Sequence, residues 1–262
     1  MELQVEPLVA LCDQKISILV SGLPLSSQVK ISASMRLPWA KSIPYESCAS
    51  FTSDAEGRVD LSRQKPDSGS YDFVDSMGLI VSAKSQDPKA LEKITQNISV
   101  SENMFIDILA ECGQERASAR LERLFKTPEI KNHRISAEFV GDFFYSDHPE
   151  NKTIVWLGGS GSGLAINAPI AAALASHGFN VLAVAYFGEK GLPPKLSRVP
   201  LEYFEKVFAW LANNPVTAGK EIRILGMSKG AELALLLASR HSFITRVVLF
   251  SPACLLLSRD RL

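Results

Sequence analysis

The sequence predicts two architectures in series: an antiparallel β-sandwich over residues 1–125 and a mostly parallel α/β sheet over residues 126–262. Three observations lead there. Up to about Ile108, apolar residues recur at every second position in short runs. Beyond Glu150, strand-like runs alternate with helix-like ones. One junction, Ile222–Glu232 (IRILGMSKGAE), passes from an apolar strand through a serine flanked by glycines into a helix-forming run.

Taken in order, Ile16, Ile18 and Val20 are followed by Val29, Ile31 and Ala33, with Gly22-Leu23-Pro24 between them. Period-two runs broken by Gly, Pro and Ser are the pattern of antiparallel strands with one face buried. Asp54, Asp67, Asp72 and Asp75 sit in turn-like contexts and form no titratable cluster, so this half reads as a structural or substrate-shaping module. Ala117–Phe125 is expected as a short helix or turn in the joint, and Arg134–Phe144 as an opening strand pair. Then come a strand at Thr153–Leu157, a glycine-rich loop and a helix at Ala165–His177. A strand at Asn180–Tyr186 leads through a loop carrying Gly188, Gly191, Pro193 and Pro194 to a helix at Leu201–Asn213. Strand Ile222–Leu225, a helix around Ala231–Ala238 and strand Arg246–Phe250 complete the order. Such alternation places helices on both faces of a parallel sheet and any site at the carboxyl ends of its strands. Tyr203, Phe204, Val207, Phe208 and Trp210 recur at helix spacing and are expected in the core.

Composition excludes several functions. Lys plus Arg equals Asp plus Glu, 28 of each, with no basic run, which argues against nucleic acid and anionic membrane surfaces as partners. The amino terminus lacks a cationic start before an apolar core, and no apolar run is long enough to span a bilayer; a cytoplasmic protein is expected. Cys12, Cys48, Cys112 and Cys254 are scattered and have no metal-ligand spacing, so reduced buried thiols are expected, with no metal and no cofactor.

The chemistry concentrates at Gly226-Met227-Ser228-Lys229-Gly230. Strand, G-x-S-x-G and helix together form the nucleophile elbow of α/β-hydrolases, in which a sharp turn raises a serine Oγ above the sheet edge. Side chains at either glycine would strike the neighbouring strand or helix. A second glycine run, Gly158-Gly159-Ser160-Gly161-Ser162-Gly163, fails both nucleotide tests. The sixth position of a dinucleotide fingerprint falls on Leu164 or Ile166, and the lysine of a phosphate loop is replaced by Leu164. Two readings of it stay open: a turn required for close packing, or a loop whose backbone N–H groups meet a developing oxyanion. On the second reading the donors are the N–H of Lys229 and an N–H within Ser160–Gly161.

A serine hydroxyl needs a base, and the base an orienting carboxylate. After Ser228 the sequence offers Glu232, one turn along the helix, His241, and Asp260 in the tail. His241 is thirteen positions on, about 20 Å from the hydroxyl at ~1.5 Å rise per residue, and reads as a surface helix-end residue. His177 precedes Gly178 at a helix end, and His133 and His148 lie in connecting segments; none is given a catalytic role. Lys229 opens its helix at the positive end of the dipole, which suggests either attraction to substrate phosphates or a bridge to a carboxylate such as Glu232.

These residues resemble the acyl-CoA thioesterases related to bile acid-CoA:amino acid N-acyltransferase. The resemblance rests on KISILVSGLPLSSQVKISASM, on Asp75-Ser76-Met77-Gly78-Leu79, and on LGGSGSGL, HGFNVLAVAYFG, GLPP, LEYFE and GMSKGAELALLLAS. It implies an amino-terminal immunoglobulin-like sandwich before an incomplete α/β-hydrolase domain. It also implies that Ser228 attacks an acyl-CoA thioester to form an acyl-serine that water cleaves. Transferase relatives carry cysteine at the elbow, and Ser228 matches the hydrolase branch. Relatives continue past this carboxyl terminus and supply the acid and histidine there, so the resemblance assigns only Ser228 and the amide donors. The alternatives are a catalytically dead interaction module, an esterase or dienelactone-type hydrolase, and an N-acyltransferase. Arg246–Phe250 is left as an apolar sheet edge, which predicts self-association.

Overall fold

A computed structural model describes residues 1–87, 99–148, 152–161 and 163–252. They divide into two compact units, one of residues 1–87 and 101–125 and the other of residues 99–100 together with those from Lys126 onward.

The first unit holds β1 (Glu2–Glu6), β2 (Val9–Leu11), β3 (Ser17–Ser21), β4 (Gln28–Arg36), β5 (Pro44–Thr52), β6 (Val59–Asp60), β7 (Ser68–Gly69), a single helical turn α1 (Gly78–Val81), β8 (Met104–Cys112) and β9 (Glu115–Leu124). They form two sheets, in the orders β1-β3-β6 and β2-β9-β8-β4-β5-β7. Every pair is antiparallel except β2 with β9. The period-two pattern does what it predicts: Val29, Ile31, Ala33 and Met35 of β4 are buried, as are Met104, Ile106, Ile108 and Ala110 of β8. The turn-like aspartates act as turn formers, Asp54 Oδ1 accepting from the N–H groups of Glu56 and Arg58, and Asp75 Oδ1 from that of Met77.

The joint differs from expectation. Ala117–Phe125 is not a helix or turn but most of β9, paired with β8 from Cys112↔Glu115 to Met104↔Arg123. Its Glu, Arg, Ala and Leu content favours helix, but the hairpin at Gly113, whose φ is 59°, sets the antiparallel ladder first. Charges then pair across it: Arg116 reaches Glu111 at 3.0 Å and Arg120 reaches Asp107 at 3.7 Å, each opposite its register partner. Arg123, 1 % exposed, donates from Nη2 to the carbonyls of Cys12 and Gln14 at 2.8 and 2.7 Å. Cys12, Cys48 and Cys112 are free and only partly buried, a correction to the expected buried thiols; burial pushes the Cys12 thiol up to about 11. Cys254 lies outside the described residues.

The second unit is built from β10 (Lys131–Ile135), β11 (Val140–Tyr145), β12 (Lys152–Leu157), α2 (Leu164–Ser176), β13 (Phe179–Ala185), α3 (Glu202–Asn213), β14 (Ile222–Met227), α4 (Lys229–Arg240) and β15 (Ile244–Phe250). One six-stranded sheet runs in the order β10-β11-β13-β12-β14-β15. β13, β12, β14 and β15 are parallel; β10 and β11 add an antiparallel margin. Thr153–Leu157 of β12 are all buried, as expected of a strand covered on both faces. On one face Val155, Leu157, Leu182 and Val184 share a core with Phe204, Val207 and Phe208 of α3 and Leu233, Ala234 and Leu237 of α4. Tyr203 and Trp210 lie at its margin, partly buried. The alanines Ala168, Ala171, Ala172 and Ala175 form the buried stripe of α2, and the Trp156 indole N–H donates to Asn167 Oδ1 of that helix at 2.9 Å. No helix among the described residues is long and apolar enough to cross a membrane.

Candidate active site

The strand β14 ends at Met227 and α4 begins at Lys229, so Ser228 alone makes the turn. Its backbone takes φ 53° and ψ −118°, a region that residues other than glycine rarely enter. Close packing enforces this. A methyl on Gly226 would lie 2.6 Å from the Cα of Ala231, and one on Gly230 would overlap the Leu157 carbonyl and lie 2.5 Å from that of Gly158. Strand β12 and helix α4 therefore press on the turn from both sides, and only glycines fit. The Ser228 N–H donates to the Phe250 carbonyl at 2.9 Å, and its carbonyl accepts from Ala231 N–H at 2.9 Å and Glu232 N–H at 3.3 Å. With its backbone groups bonded in this way, the residue is exposed, and among the described residues Oγ has no hydrogen-bond partner.

The glycine loop between β12 and α2 meets Ser228 at Gly159. A methyl there would lie 3.2 Å from the serine Cβ, 3.4 Å from the Met227 carbonyl oxygen and 3.8 Å from Oγ. A side chain at Gly159 would therefore crowd Ser228, while a methyl on Gly161 would meet nothing within 4 Å. Ser160 and Gly161 follow on the exposed part of the loop, and Ser162 lies outside the described residues. The sequence placed the loop's amide donors at Ser160 and Gly161; the loop residue packed closest to the Ser228 side chain is Gly159, two residues past the end of β12.

Two further residues were missed. Tyr186, just past β13 and 5 % exposed, donates its hydroxyl to the Gly158 carbonyl. Burial first, and the nearby Glu232 charge second, hold its pKa far above the ordinary phenol value, so it stays a donor. Glu189 Oε1 accepts from the Leu164 N–H at 3.0 Å, filling the role of a cap at the start of α2, and its other oxygen lies 3.5 Å from Arg134.

Lys229 gives both carboxylate oxygens of Glu232 a hydrogen bond at 2.9 Å, with the Glu232 side chain 12 % exposed. Of the two roles the sequence left open for this lysine, the carboxylate bridge is the one the structure contains. His241 caps the end of α4, 3.4 Å from Glu205, and packs on Phe208 and Phe243. It is more enclosed than a surface helix-end residue, because the two phenylalanines close over it. His133 stacks edge-on with Phe143 and Tyr145. Asp260 lies outside the described residues. Among the described residues no group of three or more His, Cys, Asp and Glu could hold a metal.

Residues 13–137 match the family model described as the acyl-CoA thioester hydrolase/BAAT N-terminal region, and residues 199–260 match that of the BAAT/acyl-CoA thioester hydrolase C terminal. The chain belongs to the acyl-CoA thioester hydrolase/BAAT family. Mouse acyl-coenzyme A thioesterase 6 is 32% identical over 244 residues, covering 90% of this chain and 57% of that protein. Human acyl-coenzyme A thioesterase 1 is 30% identical over 245 residues, 91% of this chain and 57% of its own length. Mouse acyl-coenzyme A amino acid N-acyltransferase 1 is 33% identical over 241 residues, covering 87% of this chain and 56% of that protein. The chain thus spans somewhat over half the length of these family members. Among solved structures, a Pyrococcus furiosus esterase aligns at TM-score 0.40 and 26% identity, covering 49% of this chain and 51% of that one. A dienelactone hydrolase from Anabaena variabilis aligns at TM-score 0.39 and 18% identity, covering 47% and 64%.

Proposed function

We propose that this chain carries the nucleophile half of an acyl-CoA thioesterase site. Ser228 Oγ attacks the thioester carbonyl and loses its proton to a base, the carbonyl oxygen becomes an oxyanion, and the C–S bond breaks to release CoA. Water then cleaves the acyl-serine to the fatty acid. The observation that carries this reading is the strained, exposed serine facing a glycine loop. Amide donors come from the N–H of Lys229 at the start of α4 and from the Ser160–Gly161 stretch. The base and the orienting acid are not assigned to any described residue, since no histidine bonds Ser228 Oγ. On this reading the second unit is an α/β-hydrolase domain and the first an immunoglobulin-like sandwich, in a cytoplasmic protein.

The test is a substrate panel of acyl-CoAs against simple carboxylic esters, with and without glycine or taurine as acceptor. The reading predicts CoA release from acyl-CoA, abolished in Ser228→Ala. Turnover of simple esters alone would favour an esterase, and an acyl-glycine product an N-acyltransferase. No turnover of any of them by the wild-type chain would favour an interaction module. Self-association belongs to the same proposal. The β10 edge carries Lys131, His133 and Arg134, whereas β15 ends the sheet with Val248 and Phe250 exposed at 45% and 50%. Sedimentation should find dimers or larger species that Val248→Lys dissociates; a monodisperse wild-type monomer would contradict it.

A further inference from the structure

The glycine loop is held at both ends by one short segment, the four residues that follow β13. At its start the Gly158 carbonyl accepts from the Tyr186 hydroxyl; at its end the Leu164 N–H donates to Glu189 at 3.0 Å. The two anchors are of different kinds. The tyrosine is buried and rests on Phe187 and Phe204, whose ring centroids lie 5.3 and 6.4 Å from its own. The glutamate is steered by Arg134, which in turn forms a 2.6 Å pair with Asp142 of β11. Between the anchors, Gly159 lies against the Ser228 side chain.

A trans peptide is a rigid plane whose C=O and N–H point in opposite directions, so fixing one fixes the other. By holding the Gly158 oxygen, Tyr186 sets the plane of the Gly158–Gly159 peptide, the one adjoining the serine. Gly159 and Gly161 give the loop no side chains with which to hold itself. A glycine stretch left free would sample many backbone states, and an amide donor contributes to catalysis only if it is in place before charge develops.

We infer that Tyr186 and Glu189 are positioning residues, a two-point clamp that holds the glycine loop in register with Ser228. The inference rests on the proposed role of Ser228 for its kinetic consequence but not for its structural one, and the two are separable. Neither residue touches substrate in this account; both act through the loop.

The test uses the purified chain with Tyr186→Phe, Glu189→Ala, Glu189→Gln and the double variant Tyr186→Phe/Glu189→Ala. The rate of modification by a fluorophosphonate is split into its maximal rate and its half-saturating concentration. Losing part of an oxyanion site costs enzymes up to 10²–10³-fold, and loosening rather than removing it is expected to cost Tyr186→Phe about tenfold in maximal rate, with half-saturation unchanged. Glu189→Ala is expected to lose about threefold, and Glu189→Gln, which keeps an oxygen acceptor for Leu164, to recover it. The double variant is expected to lose less than the product of the two, because both act on one loop. Amide exchange is read in parallel: the 158–164 peptide is expected to exchange about tenfold faster in Tyr186→Phe and Glu189→Ala, with β14 peptides unchanged. Unchanged exchange in both variants overturns the clamp, as do fully multiplicative rate losses. A wild-type chain that takes no label, in combination with faster loop exchange in the variants, sinks the nucleophile and leaves the clamp standing.

Discussion

The two units treat difficult polar groups in opposite ways. In the first, the most deeply buried charge, Arg123, is bound to two backbone carbonyls, and the exposed charges of β8 and β9 face opposite partners across the ladder. Its aspartates satisfy the N–H groups of their own turns. Each of these groups has a structural use. In the second unit a strained backbone, φ 53° and ψ −118°, belongs to an exposed serine whose hydroxyl bonds nothing among the described residues. A strained residue held between two glycines that admit no side chain, with no hydroxyl partner among the described residues, is what the proposed nucleophile rests on; Ser26 of the first unit also takes a positive φ, 54°, but has no such glycines beside it.

That contrast can be broken most severely at Gly230. Gly230→Ala would force a methyl onto the Leu157 and Gly158 carbonyls, and a loss of about 3 kcal/mol is expected in denaturant unfolding. Gly161→Ala, with open space around it, is expected to stay within about 0.5 kcal/mol. Equal effects at the two would mean that the elbow is not tightly packed. Next comes Arg123→Met, which leaves the Cys12 and Gln14 carbonyls without their donor and is expected to cost about 2 kcal/mol while leaving the reactivity of Ser228 untouched. Loss of serine reactivity in that variant would erase the division of labour between the units.

A smaller effect of opposite sign is expected at the serine itself. Ser228→Gly relieves the backbone strain and is expected to raise stability by about 1 kcal/mol, net of glycine's greater unfolded freedom, while Ser228→Ala gives no such gain. Destabilisation by the glycine variant would show that the turn is not strained. The smallest effect concerns Glu221, whose pKa is depressed to about 2 by hydrogen bonds from Thr245 and Arg223. A carboxylate with a lower pKa in the folded than in the unfolded state stabilises the fold above the unfolded value, and that contribution is lost as pH falls from about 4.5 to about 2. A melting-temperature profile across this range should flatten in Glu221→Gln; an unchanged slope would place the acid sensitivity elsewhere.

What the sequence made legible follows from periodicity and sterics. The parallel strands β12 and β13 were readable because two-sided burial leaves nearly continuous apolar runs, β14 and β15 from their apolar, β-branched content, and Gly226, Ser228 and Gly230 because the turn tolerates few residue types. β9 was unreadable as a strand: residues 115–124 contain only two buried side chains, Leu121 and Arg123, in a helix-favouring composition, and its conformation comes from the ladder to β8. The Tyr186 and Glu189 anchors were hidden for a different reason. Each lies more than twenty residues from the loop atom it binds, at |i−j| 28 and 25, and only the folded sheet brings them together. The Lys229 bridge to Glu232, three residues apart on one helix, was foreseeable as one of two alternatives.

The central claim, that the Ser228 hydroxyl is the group this fold presents for reaction, is tested most directly by mapping where a fluorophosphonate attaches. The account predicts that peptide mass spectrometry of the labelled chain finds the adduct on Ser228 alone, and that Ser228→Ala takes none. An adduct on another serine, or equal labelling of Ser228→Ala, would contradict it.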